Sequence, residues 1–397
     1  MNRFWKIILL ASVVFFISGG IYFFVASENQ KPVFTESDSH SPALTEGLQT
    51  ISKQQKDITD QRNNVITKTV KEISPAVVGI NVTEIRQYQD PFSSFYQNDP
   101  FFRQFFGNRG TYSQKVKELG SGYIISPDGY IVTNDHVAGN ASEITVTLTN
   151  GKQYQAKLVG TDHASDISLL KIKDSNLPYV KLGNSDDNII GEWVIALGNP
   201  FGLFEINDKP TVTVGVISAT GMNLEPLDNR YYLNMIQTDA SINGGNSGGP
   251  LVNSLGEVIG MNTLIYTAGG VQGSIGLGFA IPINKVKRIV TELKENGKVN
   301  RNFDVGLGVQ SIDENIAKAY GLSSARGVIV TRVVQGSPAD KCGIKVRDII
   351  TQVENYKISN QETLLSVFQE FRAGQSVKIK LMRNDKAITT TMKLEPK

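Results

Sequence analysis

Gly244-Gly245-Asn246-Ser247-Gly248-Gly249-Pro250 decides between two folds. Its centre, Gly245 to Gly249, satisfies G-x-S-x-G, which in one architecture is a sharp strand-to-helix turn that lifts a serine above a parallel sheet. In the other it is a glycine-rich loop between antiparallel strands. Glycine permits backbone conformations that other residues avoid, and it lets a second chain come close. Consecutive N–H groups in such a loop can face one spot and form an anion-binding nest. A serine there can attack a carbonyl while those N–H groups hold the developing oxyanion. A plain surface turn fits the same composition, because Gly-rich turns are common.

The flanking chain settles the choice of fold. Ala76 to Val82 reads as a first strand, and Pro127-Asp128-Gly129 separates Tyr123-Ile124-Ile125 from Tyr130-Ile131-Val132 as a hairpin turn. Ile144-Thr145-Val146-Thr147-Leu148 alternates and ends at Asn150-Gly151, a hairpin dipeptide. Tyr154 to Leu158, Ile167 to Ile172, Val194 to Leu197, Thr211 to Ala219, Leu251-Val252 and Val258 to Met261 continue the series. Many short strands without helical crossovers predict an antiparallel barrel or sandwich. The parallel-sheet reading needs alternating helices and a histidine last in the chain, and both requirements fail. An insertion at about 87–115 holds Asp90-Pro91-Phe92, Asp99-Pro100-Phe101-Phe102 and Phe105-Phe106-Gly107. Aromatic rings are costly to leave in water, so these are expected to pack on the body or on a neighbouring subunit.

A nucleophile needs a base and an orienting acid. The chain has three histidines, His40, His136 and His163. His136, in Thr133-Asn134-Asp135-His136-Val137, follows a strand and suits a general base. Asp166 stands at the mouth of the apolar strand Ile167 to Ile172, where a carboxylate needs a partner. It can accept an imidazole N–H and fix the tautomer. Taken singly, an edge histidine and a strand-start cap explain these two residues equally well. Their order with Ser247, His before Asp before Ser, is that of the chymotrypsin-type triad. His163 reads as structural or exposed, and His40 as solvated.

Composition narrows the rest. The formal net charge of +2 over 397 residues gives no case for nucleic acid. A single cysteine, Cys342, excludes an intrachain disulfide and a multi-cysteine metal site. The uncharged run Ile7 to Val25 follows Arg3 and Lys6 and comes close to the ~20 residues that span a bilayer. Residues 1–26 are therefore expected to form a transmembrane anchor with the remainder exported, a cleaved signal peptide being the alternative. The polar stretch 27–68 reads as a flexible tether. Pro282 to Gly297 has helical period, with Val286, Ile289, Val290 and Leu293 on one face. Lys298 to Asn302 reads as a hinge. Residues 303–397 carry five predicted strands and a helix at Glu362–Phe371, the make-up of a small binding module.

Thr133 to Val137, Ser165 to Ile172, Ala196 to Gly202, Gln237 to Leu251 and Gly276 to Pro282 together resemble the HtrA (Deg) family of serine proteases. The resemblance runs from about residue 68 to the C-terminus. It implies a mainly β chain: a chymotrypsin-like double β-barrel protease domain over 69–297, followed by a PDZ domain over 303–397. His136 would be the base, Asp166 the orienting acid and Ser247 the nucleophile, with the N–H groups of Gly245 and Ser247 as oxyanion hole. Ile242 and Ile265 fall where the family lines its primary specificity pocket. Leu307, Gly308 and Val309 fall where family PDZ domains hold a peptide's terminal carboxylate. Ser337 to Ile344 resembles the PDZ turn and short helix, with Cys342 in a packing role.

The resemblance further implies ATP-independent cleavage of unfolded or misfolded proteins after small aliphatic residues, without metal or organic cofactor. It implies a homotrimer or larger assembly at the bacterial inner membrane, facing the periplasm. A PDZ-gated signalling protease and a chaperone of the same fold are the alternatives. Two positions depart from the pattern. Met222 stands where members often carry an arginine that relays activation to the oxyanion loop, and Arg347 stands where glycine is usual before Asp348.

Overall fold

The computed structural model describes residues 62–89, 111–199, 204, 208–265, 276–322 and 325–397. The expected anchor (1–26), most of the tether and the centre of the aromatic insertion lie outside the described residues. Among the described residues, no helix is long and apolar enough to cross a membrane. The last stretch assigned to the tether is helical instead: α1 spans Val65–Ile73. Asn64 caps it by accepting the Thr67 N–H at 3.0 Å. Ile66, Val70 and Ile73 share one face of α1 and pack on the main core, which a tether would not do.

The first sheet contains β1 (Val77–Gln89), β2 (Thr111–Ile124), β3 (Tyr130–Thr133), β4 (Glu143–Leu148), β5 (Gln153–Gln155), β6 (Lys157–Asp162) and β7 (Ile167–Lys171). Its order is β5-β4-β1-β2-β3-β7-β6. β1 and β2 pair antiparallel from Val77↔Tyr123 to Gln89↔Thr111. The ends of the expected insertion are therefore the arms of a long ribbon. A short helix, α2 (Asp135–Ala138), follows β3.

The second sheet contains β8 (Lys181–Leu182), β9 (Trp193–Gly198), β10 (Thr211–Met222), β11 (Met235–Thr238), β12 (Pro250–Asn253), β13 (Glu257–Ile265) and β14 (Gly278–Pro282). Its order is β12-β9-β10-β11-β14-β13-β8, and β12 also pairs with β13. That last pairing closes a ring of β9 to β14, and a closed ring leaves no free edge. Tyr123, Val132 and Leu169 of the first sheet share a core with Ile195, Leu197, Met261 and Ile281 of the second. α3 (Ile283–Asn296) buries Val286, Ile289, Val290 and Leu293 against this core. Gly297 ends α3 in the left-handed conformation, its N–H bonded to Leu293 O at 2.9 Å.

The C-terminal module holds β15 (Phe303–Asp304), β16 (Leu307–Ser311), α4 (Glu314–Ala319), β17 (Val328–Val333), α5 (Pro338–Lys341), β18 (Ile349–Val353) and β19 (Tyr356–Lys357). It continues with α6 (Gln361–Phe368), β20 (Ser376–Arg383), β21 (Lys386–Lys393) and β22 (Glu395–Pro396). The sheet order β16-β17-β18-β20-β21 leaves β16 at an edge. Leu364, Val367 and Phe368 of α6 fill the module's core with Val328, Ile350 and Ile379. The helix expected over 362–371 stops at Phe368, because Gln369, Glu370 and Arg372 turn to face the protease body. Glu370 bonds Lys285 and Arg288 of α3 at 2.5 Å each, and Arg372 Nε bonds Glu292 at 2.8 Å. The expected hinge at 298–302 is pinned as well. Arg301 forks onto Asp162 and donates through Nε to Gln369 O at 2.7 Å, a planar guanidinium matching a carboxylate.

Candidate active site

The end of β3 and the start of β7 bring His136 and Asp166 together. Thr133 Oγ1 donates to Ser121 O at 2.7 Å, which fixes where β3 ends. The chain then turns through buried Asn134 into α2, which carries His136. Asp166 caps a short 3-10 turn (His163–Ser165) in the left-handed conformation, φ 58° and ψ 44°. Asp tolerates that region better than most residues, and there its carboxylate turns back toward α2. His136 Nδ1 lies 3.0 Å from Asp166 Oδ1 and 2.9 Å from Oδ2, and the His136 backbone N–H donates to Oδ1 at 3.0 Å. A carboxylate only accepts, so Nδ1 carries the proton and Nε2 is left as base.

Asp166 is fully buried and well supplied with donors. Thr263 Oγ1 donates to Oδ2 at 2.7 Å, Asn134 Nδ2 at 3.2 Å and the Tyr232 hydroxyl at 3.3 Å. Burial alone pushes this carboxyl up. The His136 hydrogen bond and electrostatic pull, with the Thr263 hydroxyl, outweigh it and hold the group below the ordinary carboxylate value.

Ser247 approaches the same point from the second barrel. Its Oγ donates to Thr263 O at 3.2 Å. Thr263 thus touches both the serine and the buried acid. No hydrogen bond joins Ser247 Oγ to His136 Nε2 among the described residues. In the loop, the N–H groups of Asn246, Gly248 and Gly249 bond to Asn243 O, Asn262 O and Asn246 O at 3.0, 2.8 and 3.0 Å respectively. Those of Gly245 and Ser247 donate to no described residue. Gly248 has φ +83°, and a Cβ there would lie 2.2 Å from Ser121 O, so only glycine fits where the two sheets meet.

The other expected site residues are placed as follows. Ile242 has no exposed surface and packs with Ile217, Ile236 and Leu251 inside the second barrel. Ile265 ends β13, and its side chain lies outside the described residues. Leu307, Gly308 and Val309 lie on edge strand β16, paired on one side with Val333, Arg332 and Val330 of β17. Cys342 is half-buried, its Sγ near Ala339 O at 3.3 Å, and burial pushes its thiol up. Met222 pairs with Met235 and packs against the main core, so no cation reaches the loop from there.

Sequence reasoning missed a charged cluster beside the triad positions. Arg230 Nη2 bonds Asp135 Oδ2 at 2.9 Å, and its Nε lies 3.3 Å from Asp166 Oδ1. His163, read as structural or exposed, bonds Asp135 Oδ2 through Nδ1 and Asp228 O through Nε2, both at 2.8 Å. Asp135 and His163 lie close to His136 and Asp166 in sequence, but Arg230 does not, and their meeting depends on the β10–β11 connection folding back. Among the described residues, no group of three or more His, Cys, Asp and Glu side chains is arranged to hold a metal ion.

Comparison with known proteins follows the same division. The trypsin-like peptidase domain family matches residues 120–261 and the PDZ domain family matches 304–394. A probable periplasmic serine endoprotease DegP-like of Marinomonas sp. is 39% identical over 396 residues, covering 100% of this chain and 77% of that protein. A protein of the same description from Chlamydia pneumoniae is 44% identical over 304 residues, and there the match takes in 76% of this chain and only 60% of the relative. Among solved structures, the HtrA-type protease AlgW with decapeptide is 34% identical with a TM-score of 0.60, over 83% of this chain and 98% of that one. The serine endoprotease from Yersinia pestis is 32% identical with a TM-score of 0.53, over 83% and 97%.

Proposed function

This chain belongs to the HtrA (Deg) family of serine proteases, and from that premise we propose that it is an ATP-independent extracytoplasmic endopeptidase acting through His136, Asp166 and Ser247. The observation that carries the reading is the His136–Asp166 pair with Thr263 bonded to both Asp166 and Ser247. Ser247 Oγ attacks the scissile carbonyl carbon once it turns from Thr263 O to His136, and its proton passes to His136 Nε2. The carbonyl oxygen becomes an oxyanion, held by the free N–H groups of Gly245 and Ser247. The C–N bond then breaks and Nε2 returns the proton to the leaving amine. Water, deprotonated by the same nitrogen, cleaves the acyl-enzyme and restores Ser247.

Substrates on this reading are unfolded or misfolded proteins, cut after small aliphatic residues, with the protease domain at 69–297 and the PDZ domain at 303–397. The PDZ module takes C-terminal peptides along β16, whose outer edge pairs with no described strand. A peptide adds there as a further strand while the N–H groups of Leu307, Gly308 and Val309 hold its carboxylate. The N-terminal segment anchors the chain in the inner membrane, the body faces the periplasm, and copies assemble as a homotrimer or larger. The names of the periplasmic relatives support the location.

Casein digestion by the full chain and by Ser247→Ala tests the reading: wild type cleaves and the variant does not, whereas equal activity rejects the triad. A PDZ-gated signalling role is favoured by one observation, the ion pairs from Glu370 and Arg372 to α3. Casein cleavage that appears only when a C-terminal peptide is added supports gating.

A further inference from the structure

We propose that Ser121 is a positioning residue, holding the oxyanion loop in register from the first sheet; the proposal rests on the reading of Ser247 as nucleophile. Ser121 lies on β2, opposite Gly79 of β1, and is fully buried. Its hydroxyl accepts the Asn199 N–H at 2.7 Å and donates to Gly245 O at 2.5 Å. Its backbone N–H donates to Ser247 O at 2.9 Å, and its carbonyl accepts from Thr133 Oγ1 at 2.7 Å. One residue therefore ties the ends of β3 and β9 to the loop that carries the serine.

The hydroxyl has a single proton. With the Asn199 N–H on one of its lone pairs, that proton is committed to Gly245 O. The peptide unit is planar, so the Gly245 carbonyl and the Asn246 N–H point in opposite directions. Ser121 holds the first and Asn243 O holds the second, at 3.0 Å. This peptide stands between the two that bear the uncommitted N–H groups, those of Gly245 and Ser247. Turning it redirects both. Gly245, at φ +96°, offers little steric resistance to such a turn. The constraint has to come from outside the loop, and Met222 contributes none. The fit around the hydroxyl is close, since a Cβ on Gly198 would lie 2.9 Å from Ser121 Oγ and 2.6 Å from Asn246 Oδ1.

Ser121 touches neither substrate nor the reacting atoms, so its loss should act through the loop. A single oxyanion donor contributes about 10²–10³-fold to kcat, and losing the residue that aims the pair should remove about 10- to 100-fold. The test uses full-length wild type, Ser121→Ala and Ser121→Cys, the last keeping volume but only a weak donor. Three quantities are measured: kcat and KM on a peptide with an aliphatic P1 residue, affinity for the matching peptide boronic acid, and affinity for an inert peptide amide of the same sequence. The boronic acid forms a tetrahedral adduct and reports the oxyanion hole, whereas the amide reports ground-state binding.

For Ser121→Ala, kcat and boronate affinity fall together by about 10- to 100-fold, while KM and amide affinity hold to about twofold. Ser121→Cys falls between. Unchanged kcat and boronate affinity overturn the proposal, as does an equal loss for boronate and amide. Unfolding of both variants assigns Ser121 to packing and overturns it too. Labelling of the wild type by a fluorophosphonate, located by mass spectrometry, separates the two readings. An unlabelled Ser247 removes the nucleophile assignment, and a labelled Ser247 with indifferent Ser121 variants removes only the tether.

Discussion

Arg230→Met should unfold the protein earlier than any exposed charge substitution would. The Arg230 side chain is 12% exposed, and its partners Asp135 and Asp166 are 5% and 0% exposed. Burial works against the charge on Arg230, but the Asp135 hydrogen bond and the two carboxylates outweigh it and raise its pKa. Methionine keeps the apolar stem and removes the guanidinium. Breaking a buried pair costs about 3–5 kcal/mol because the remaining ion is stranded. Asp135 keeps the Thr161 hydroxyl at 2.6 Å and His163 at 2.8 Å, which places the cost at the low end, about 3 kcal/mol. For a body of this size that is a fall in Tm of about 6–12 °C. Thermal denaturation of Arg230→Met, Asp135→Asn and the double variant measures it. The double variant leaves no charge on Asp135 without Arg230, so it should recover about 1 kcal/mol or more relative to the sum of the singles. A fall under about 2 °C, or strict additivity, refutes the assignment of a coupled buried pair.

Substitutions at three further positions probe other parts. Gly248→Ala places a Cβ 2.2 Å from Ser121 O at φ +83°; the shift it forces on Ser247 should lower kcat by about 100-fold, read in a peptide assay. Glu370 lies between Lys285 and Arg288, and although burial opposes it, these cations hold its carboxyl below the ordinary value of 4.5. A depressed carboxylate contributes stability above its unfolded value and loses it as pH falls toward the folded one. Glu370→Gln should therefore lower Tm at pH 7, and the gap to wild type should shrink below about pH 4.5. Arg347 occupies the left-handed region, φ 76°. Relief of about 1 kcal/mol or more of strain should leave Arg347→Gly as stable as wild type or more so in urea, while β-branched Arg347→Val should be less stable.

The proposed catalytic positions stand out because each sits in a local signal: His136 after a strand, Asp166 before an apolar one, Ser247 among glycines. The strand series was legible for the same reason, since hairpin turns such as Pro127-Asp128-Gly129 are written in adjacent residues. What escaped is what depends on distant contact. Thr263, Ser121 and Arg230 come from β13, β2 and the β10–β11 connection, and nothing in their neighbourhoods marks them as meeting at one point. An aliphatic residue near a serine loop, such as Ile242, looks alike in sequence whether it lines a cleft or fills a core. Residues 298–302 looked like a hinge from polarity alone, but a polar side chain with a buried acid in reach, as Arg301 has in Asp162, acts as a clasp. The tether was drawn too long because α1 is too short to declare its period strongly and gains its stability from packing Ile66, Val70 and Ile73.

The most direct measurement of the central claim is active-site titration of wild type and Ser247→Ala with a fluorophosphonate, followed by mapping of the adduct and peptide hydrolysis rates. One adduct per chain on Ser247, with a fall of about 10⁶-fold in kcat for Ser247→Ala, is the predicted result. An adduct on another residue, or hydrolysis by Ser247→Ala at the wild-type rate, would contradict it.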